Sequence, residues 1–286
     1  MRLAVLIALF AGSCLAQLKG IVDLHVHSDP DSAARSIDAL DVARLAEKEG
    51  MRAILLKNHN AATVQMAYIV HKVVPNVEVF GSVVLNRALG GINPAAVEQA
   101  ALMKGGRLRM VWMPTFDAGS SAAPPNRSFV PVSKDGKLLP GVIEVLQLIA
   151  KYKLGMATGH STAAENLMLV HEGKRLGIAK MIVTHPTGKM SIEQMKEAAA
   201  DGAYIEFTYH ALLVGDGAKG LAEFAKEIKA IGAEHCIITS DLGQDDSPVH
   251  TVGWKTYLEI LQKAGVTQAE IDLMARRNPA KLVGLD

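Results

Sequence analysis

The sequence predicts an α/β protein, a (β/α)8 TIM barrel that forms a single domain over residues 17–286. Three observations predict it. Short apolar runs alternate with helix-period segments along the whole chain, the signature of parallel strands joined by crossover helices. Eight such runs occur, and eight units in about 260 residues favour closure into a barrel. An open doubly wound sheet would carry a glycine-rich phosphate turn after its first strand, and none follows His27.

The expected strands run in order as Ile21 to His27, Ala53 to Lys57, Val77 to Leu85, Leu108 to Met113, Leu154 to Thr158, Lys180 to Thr184, Ala203 to Thr208 and Cys236 to Ser240. Each is a short apolar run, many of them rich in Val and Ile, of the length a buried parallel strand requires. Between the first two strands, Ser36 opens a helix with apolar positions at Leu40, Ala43, Leu45 and Ala46, and Gly50 stops it. Ser191 opens another. Residues two apart on a strand share a face, so Ile21, Asp23, His25 and His27 are expected on one side and Val22, Leu24 and Val26 on the other. Two longer segments, Thr115 to Pro140 and Asp241 to Thr251, follow strands. They therefore belong on the C-terminal face, where lids and specificity loops lie.

Composition narrows the function classes. With 49% hydrophobic and 21% charged residues in a chain of 286, a large core is expected and disorder is not. A net charge of +1 gives no electrostatic reason for nucleic acid or an anionic membrane as partner. Aromatics at 5% argue against base-stacking platforms. A small molecule is the expected partner, and self-association is left open.

Met1 and Arg2 precede an apolar run, Leu3 to Ala11, too short to span a bilayer. Small residues then lead to Ala16. Residues 1–16 read as a secretory signal peptide, placing the protein in the periplasm or outside the cell. Ala11-Gly12-Ser13 before Cys14 gives a second reading, a lipoprotein. With that segment removed only Cys236 remains, so neither a disulfide nor a thiolate metal site is expected.

The polar residues at strand ends carry the chemistry. His25 and His27 end the first strand, and two imidazoles on one face at a barrel mouth can hold a divalent metal such as zinc. Lys57 ends the second strand, with His59 two residues on. His160 follows the fifth strand, His185 the sixth, His210 the seventh and Asp241 the eighth. Any one of these is commonly a core or loop residue; as a set they point to a site.

This pattern resembles the metal site of the amidohydrolase superfamily: His-x-His after the first strand, His after the fifth, His after the sixth and Asp after the eighth. The segment Arg277 to Leu285 is similar to that superfamily's usual ending. The resemblance implies a metal-dependent hydrolase in which His25, His27 and Asp241 bind the more buried ion and His160 and His185 a second. The fourth strand, ending Trp112-Met113, lacks the usual bridging carboxylate or carboxylated lysine. Lys57 has three readings: a carbamate bridging two zinc ions, an ammonium holding a substrate anion, or a structural lysine. Without the bridge, one metal is expected.

The implied reaction is attack of a metal-activated hydroxide on an amide, lactone or related carbonyl of a small molecule. Asp241 acts as catalytic base, and His59 or His210 donates to the developing oxyanion. Arg87, beyond the third strand, is the candidate for a substrate carboxylate. Asp29, Asp31 and Arg35 read as support behind the ligands or as a solvated turn, and His250 as a loop residue near the pocket. The alternatives are a metal-dependent phosphoesterase, a nonhydrolytic decarboxylase and an inactive binding protein. Asp-Leu-Gly at 241–243 lacks the late Asp-x-His of the phosphoesterase.

Overall fold

The computed structural model describes residues 17–119 and 128–286; the expected signal peptide, with Cys14, lies outside the described residues. Eight strands form one parallel sheet: β1 (Val22–Val26), β2 (Ala53–Leu56), β3 (Glu78–Val84), β4 (Leu108–Trp112), β7 (Gly155–Ala157), β8 (Met181–Val183), β9 (Ala203–Thr208) and β10 (Cys236–Thr239). They are ordered β1-β2-β3-β4-β7-β8-β9-β10. Each consecutive strand is thus the spatial neighbour of the last, as in a barrel of parallel strands joined by crossover connections. The loop after β4 also carries a short antiparallel hairpin, β5 (Ser133–Lys134) with β6 (Lys137–Leu138).

The sheet closes where β1 meets the end of β10. Asp241 N–H donates to the His25 carbonyl at 2.8 Å, and His27 N–H donates to the Leu242 carbonyl at 2.8 Å. Two predicted ligands are therefore stitched together by the backbone at the seam.

The helices α1 (Ala39–Lys48), α2 (Val64–Val73), α3 (Pro94–Leu102), α4 (Pro140–Lys151), α5 (Ala163–Arg175), α6 (Ile192–Ala200), α7 (Tyr209–Leu213), α8 (Gly217–Ile231) and α9 (His250–Lys263) lie between the strands or after them. The first begins later than expected. Asp38, not Ser36, caps it, accepting from the backbone of Leu40 and Asp41, and its buried face is Ala39, Val42, Ala43 and Ala46. Ser191 does cap α6, in a reciprocal box with Gln194. No helix among the described residues is long and apolar enough to cross a membrane.

The apolar interior divides into the shell between sheet and helices and the barrel lumen. Val22, Leu24, Leu55, Phe80, Met110, Trp112 and Ile237 fill the lumen, together with Ala280, Leu282 and Val283 of the last helix, α11 (Asn278–Val283), which follows α10 (Gln268–Asp272). Asn278 ties α11 to the start of β10 through the carbonyls of Ala233 (2.9 Å) and Cys236 (2.8 Å). The C-terminal segment is thus a plug at the N-terminal end of the barrel.

The expected alternation along β1 fails. Asp23 does not share a face with His25 and His27. The β1–β2 register shifts between Asp23 and Val26. Val22 and Leu24 pack in the lumen while Ile21 and Val26 pack in the outer shell. Such a bulge lets two successive residues face one way. Asp23 instead meets α9, whose first residue, His250, points at it and not at the pocket.

Candidate metal centre

The strand ends enclose a cavity of about 460 Å³ lined by Lys57, His59, Phe116, His160, His185, Thr208, His210, Asp241 and Gln244, among others. Five imidazoles follow one another around it. Ring centroids stand 5.4 Å apart for His25–His27, 4.8 Å for His27–His59, 6.3 Å for His59–His160, 4.9 Å for His160–His185 and 6.2 Å for His185–His25. Sequence positions 25 to 185 thus close into a circle.

His25, His27 and Asp241 are buried, and each offers a ligand atom within 4.8 Å of the others. Asp241 Oδ1 lies 3.0 Å from Nε2 of both His25 and His27. The contact to His25 is out of line for a hydrogen bond, leaving that Nε2 buried without a partner. A buried nitrogen in that condition is costly. Two imidazoles and one carboxylate converging on a point are a donor set that fits a divalent cation.

Backbone strain places two of the predicted ligands. His185 (φ 27°) and Asp241 (φ 50°) are two of the four non-glycine residues with positive φ among the described residues, a conformation that persists only where the surroundings impose it. Two glycines make room. A Cβ on Gly243 would stand 1.9 Å from the His27 carbonyl oxygen, and one on Gly159 would stand 2.3 Å from that of Met113.

Asp241 has a polar chain behind it. Gln244 Nε2 donates to the Asp241 carbonyl at 3.3 Å and to Oδ1 at 3.5 Å. Arg35 donates to Gln244 Oε1 and to Asp31 Oδ2 at 2.5 Å through Nη2. Asp31 and Arg35 are therefore supports, joined to the site through a glutamine that sequence reasoning passed over.

Lys57 is fully buried, its Nζ 3.2 Å from His59 Nδ1 and 5.3 Å above the Trp112 ring. Burial pushes its amine down to about 8, against the opposing pull of Asp241 and Glu206. Burial also holds His27, His59 and His160 well below the usual histidine value, with Lys57 the next contributor. His185 is lowered in the same way, by burial and then by His160.

His59 is well supported: its Nδ1 lies 2.8 Å from Thr115 Oγ1, and Asn86 donates to both Thr115 Oγ1 (2.8 Å) and the His59 carbonyl (2.9 Å). Phe116 stacks on its ring at 3.6 Å. His210, in α7, lines the cavity with a buried Nδ1 that has no partner. Arg87 is not brought to this cavity. It is exposed and lines a separate groove with Gly90, Gly91 and Phe129, because the short helical turn Arg87–Leu89 carries it outward.

Sequence reasoning missed Glu206 and the outward role of Asp23. Glu206 is wholly buried on β9, 3.1 Å from His25 Nδ1 through Oε1. Asp23 accepts from the N–H groups of Ser240 (3.1 Å) and His25 (3.2 Å), from Trp254 Nε1 (2.7 Å) and from His250 Nε2 (2.9 Å). Burial alone would raise its pKa, but hydrogen bonds from His250 and Ser240 outweigh that and hold it below the usual value. In both cases the available signal was a charged residue inside an apolar strand, which has to find partners.

The model of a family of unknown function, DUF6282, matches residues 20–206. No curated protein matches the chain. Solved structures share its fold. One is a variant of an organophosphorus hydrolase, with 16% identity, 94% of each chain covered and a TM-score of 0.65. Another is the organophosphorus hydrolase from Deinococcus radiodurans, with 15% identity, 94% of each chain covered and a TM-score of 0.64. A third comes from the engineering of organophosphate hydrolysis activity from a weak promiscuous lactonase, with 16% identity, 94% of this chain and 97% of that one covered and a TM-score of 0.64. At such identities the likeness establishes the barrel.

Proposed function

The chain belongs to DUF6282, a family of unknown function, and we propose that it is a metal-dependent hydrolase of the amidohydrolase type. The observation that carries this reading is the convergence of His25, His27 and Asp241 at the C-terminal mouth, where barrel enzymes keep their active sites. The hydrolases and the lactonase template among its fold neighbours are consistent with it.

His25, His27 and Asp241 would hold one divalent cation, zinc being the first candidate for such a donor set, and His160 with His185 a second. A bound cation supplies Lewis acidity, making water nucleophilic near neutral pH and polarising a carbonyl. The remaining work falls to the chain. Asp241, oriented by Gln244, takes the proton of the attacking water and passes it to the leaving group. His210, its Nδ1 buried at the cavity wall, donates to the carbonyl oxygen as negative charge develops there. Lys57 would help to hold two ions as a carbamate or, unmodified, would orient an anionic substrate group. The substrate class is a small amide, lactone or cyclic amide. The N-terminal segment is proposed to direct export, with lipidation at Cys14 as the second route.

Tightly bound metal per chain, measured in protein purified without chelator, tests the reading. Two ions in the parent, falling to one or none in Lys57→Ala, support a binuclear hydrolase; hydrolysis is then sought on amides and lactones. One ion unaffected by Lys57→Ala moves Lys57 to the substrate side. No metal after reconstitution with zinc or manganese, in the parent as in His25→Ala and Asp241→Asn, refutes the assignment.

A further inference from the structure

We propose that Glu206 is a positioning residue that sets the proton and ring orientation of His25, presenting Nε2 as a metal ligand; this rests on the metal-centre reading above. His25 has two ring nitrogens in unlike surroundings. Nδ1 faces Glu206 Oε1 at 3.1 Å. Nε2 faces the point where His27 Nε2 and Asp241 Oδ1 also converge, and it has no hydrogen-bond partner. A neutral imidazole carries one N–H. A carboxylate oxygen accepts and does not donate, so the proton belongs on Nδ1. The lone pair on Nε2 is thereby aimed at the site. Trp112, with its ring 4.7 Å from that of His25, limits rotation of the imidazole.

Glu206 is itself held in place. The pairing of β9 with β10 fixes it opposite Ile237, and Thr239 Oγ1 adds a hydrogen bond to the same Oε1 at 2.9 Å. The other oxygen, Oε2, is buried without a hydrogen-bond partner, and no Lys or Arg among the described residues forms an ion pair with Glu206, Lys57 acting on it only at longer range. A carboxylate so enclosed needs a compensating positive charge. A cation held by His25 Nε2, His27 and Asp241 would supply one across the imidazole ring. His27 has no such support: its Nδ1 is buried without a hydrogen-bond partner. The two ligands of the His-x-His pair are therefore unequal, and the seventh barrel strand, which holds no expected ligand, contributes to the centre through His25.

The test uses the full chain loaded with zinc or cobalt alone. Affinity is read by chelator competition, and ligand geometry by the visible absorption of the cobalt form. Glu206→Leu removes the acceptor and is expected to weaken binding about 10–100-fold and to change the cobalt spectrum. Glu206→Gln retains an acceptor oxygen for Nδ1–H and is expected to recover part of that loss with a spectrum closer to the parent. Thr239→Val removes the other hydrogen bond to Oε1 without touching His25, and is expected to leave affinity within about threefold of the parent, less than the loss on removing an outer-shell partner of a ligand. If Glu206→Leu does not fold, the Glu206→Gln spectrum and affinity decide, since a neutral acceptor must still shift both. Parent-like affinity and spectrum in the Glu206 variants would overturn the inference while leaving the metal centre standing. An equal loss in Thr239→Val would also overturn it, by showing a general packing effect. A parent that binds neither metal defeats the metal reading, and the inference with it.

Discussion

Asp23→Asn tests the account of the barrel seam most directly. The Asp23 carboxylate is fully buried and accepts four N–H groups: Oδ1 takes the backbone of His25 and Ser240, Oδ2 takes Trp254 and His250. Asparagine can keep a carbonyl oxygen toward the two backbone donors. Its amide then points N–H groups at Trp254 Nε1, which can only donate. His250 can change tautomer and accept, but Trp254 cannot. One buried donor is left unsatisfied beside another, a cost of about 1–3 kcal/mol, to which the lost charge on the remaining hydrogen bonds adds about 1 kcal/mol. The expected loss is therefore about 3 kcal/mol, or a fall of roughly 6–12 °C in Tm at the 2–4 °C per kcal/mol usual for chains of this size. Urea denaturation of metal-free protein, with thermal melts alongside, measures it. Because Asp23 holds the backbone of His25 and of the residue before Asp241, zinc affinity should fall as well. A variant within about 0.5 kcal/mol of the parent, the range of an ordinary surface change, would refute the claim that this carboxylate ties β1 to β10.

Other outcomes follow from the same structure. Stability of the metal-free protein should fall as pH drops below 6.5. His27, His59, His160 and His185 have folded pKa values well below 6.5, so the unfolded chain takes up protons the fold refuses. Each contributes up to about 1.4 kcal/mol per pH unit, full stability lies above 6.5, and a flat urea midpoint between pH 7.5 and 5.5 would contradict it. Lys57 adds a second window, with stability rising from about 8 to 10.5 and readable in the same titration. Gly243→Ala places a Cβ against the His27 carbonyl at φ +109° and should cost about 3 kcal/mol together with metal affinity, checked by denaturation and chelator competition. Arg87→Ala, on an exposed side chain outside the cavity, should leave metal content unchanged and stability within about 0.5 kcal/mol; a fall in metal content would show that the two grooves are coupled.

The barrel and most of its mouth were legible because both rest on local signals. Apolar runs of strand length and the turns after them mark where strands end, and the C-terminal ends of parallel strands gather on one face. His25, His27, Lys57, His59, His160, His185, His210 and Asp241 could thus be assigned to a common site before any contact was known, and all but the buried first-strand pair line the cavity wall. Arg87 lies outside the cavity because a three-residue helical turn intervenes.

What only the tertiary structure decided is how those residues are held. The bulge in β1 sends Asp23 outward and His25 inward, breaking an alternation that nothing in Ile21 to His27 marks as broken. Glu206 meets His25 across 181 positions and Gln244 meets Arg35 across 209. Periodicity shows which strands exist and which of their residues are out of place in apolar surroundings. The choice of partner is made when the sheet closes, because a buried polar group must be satisfied by whatever donor or acceptor closure brings within reach.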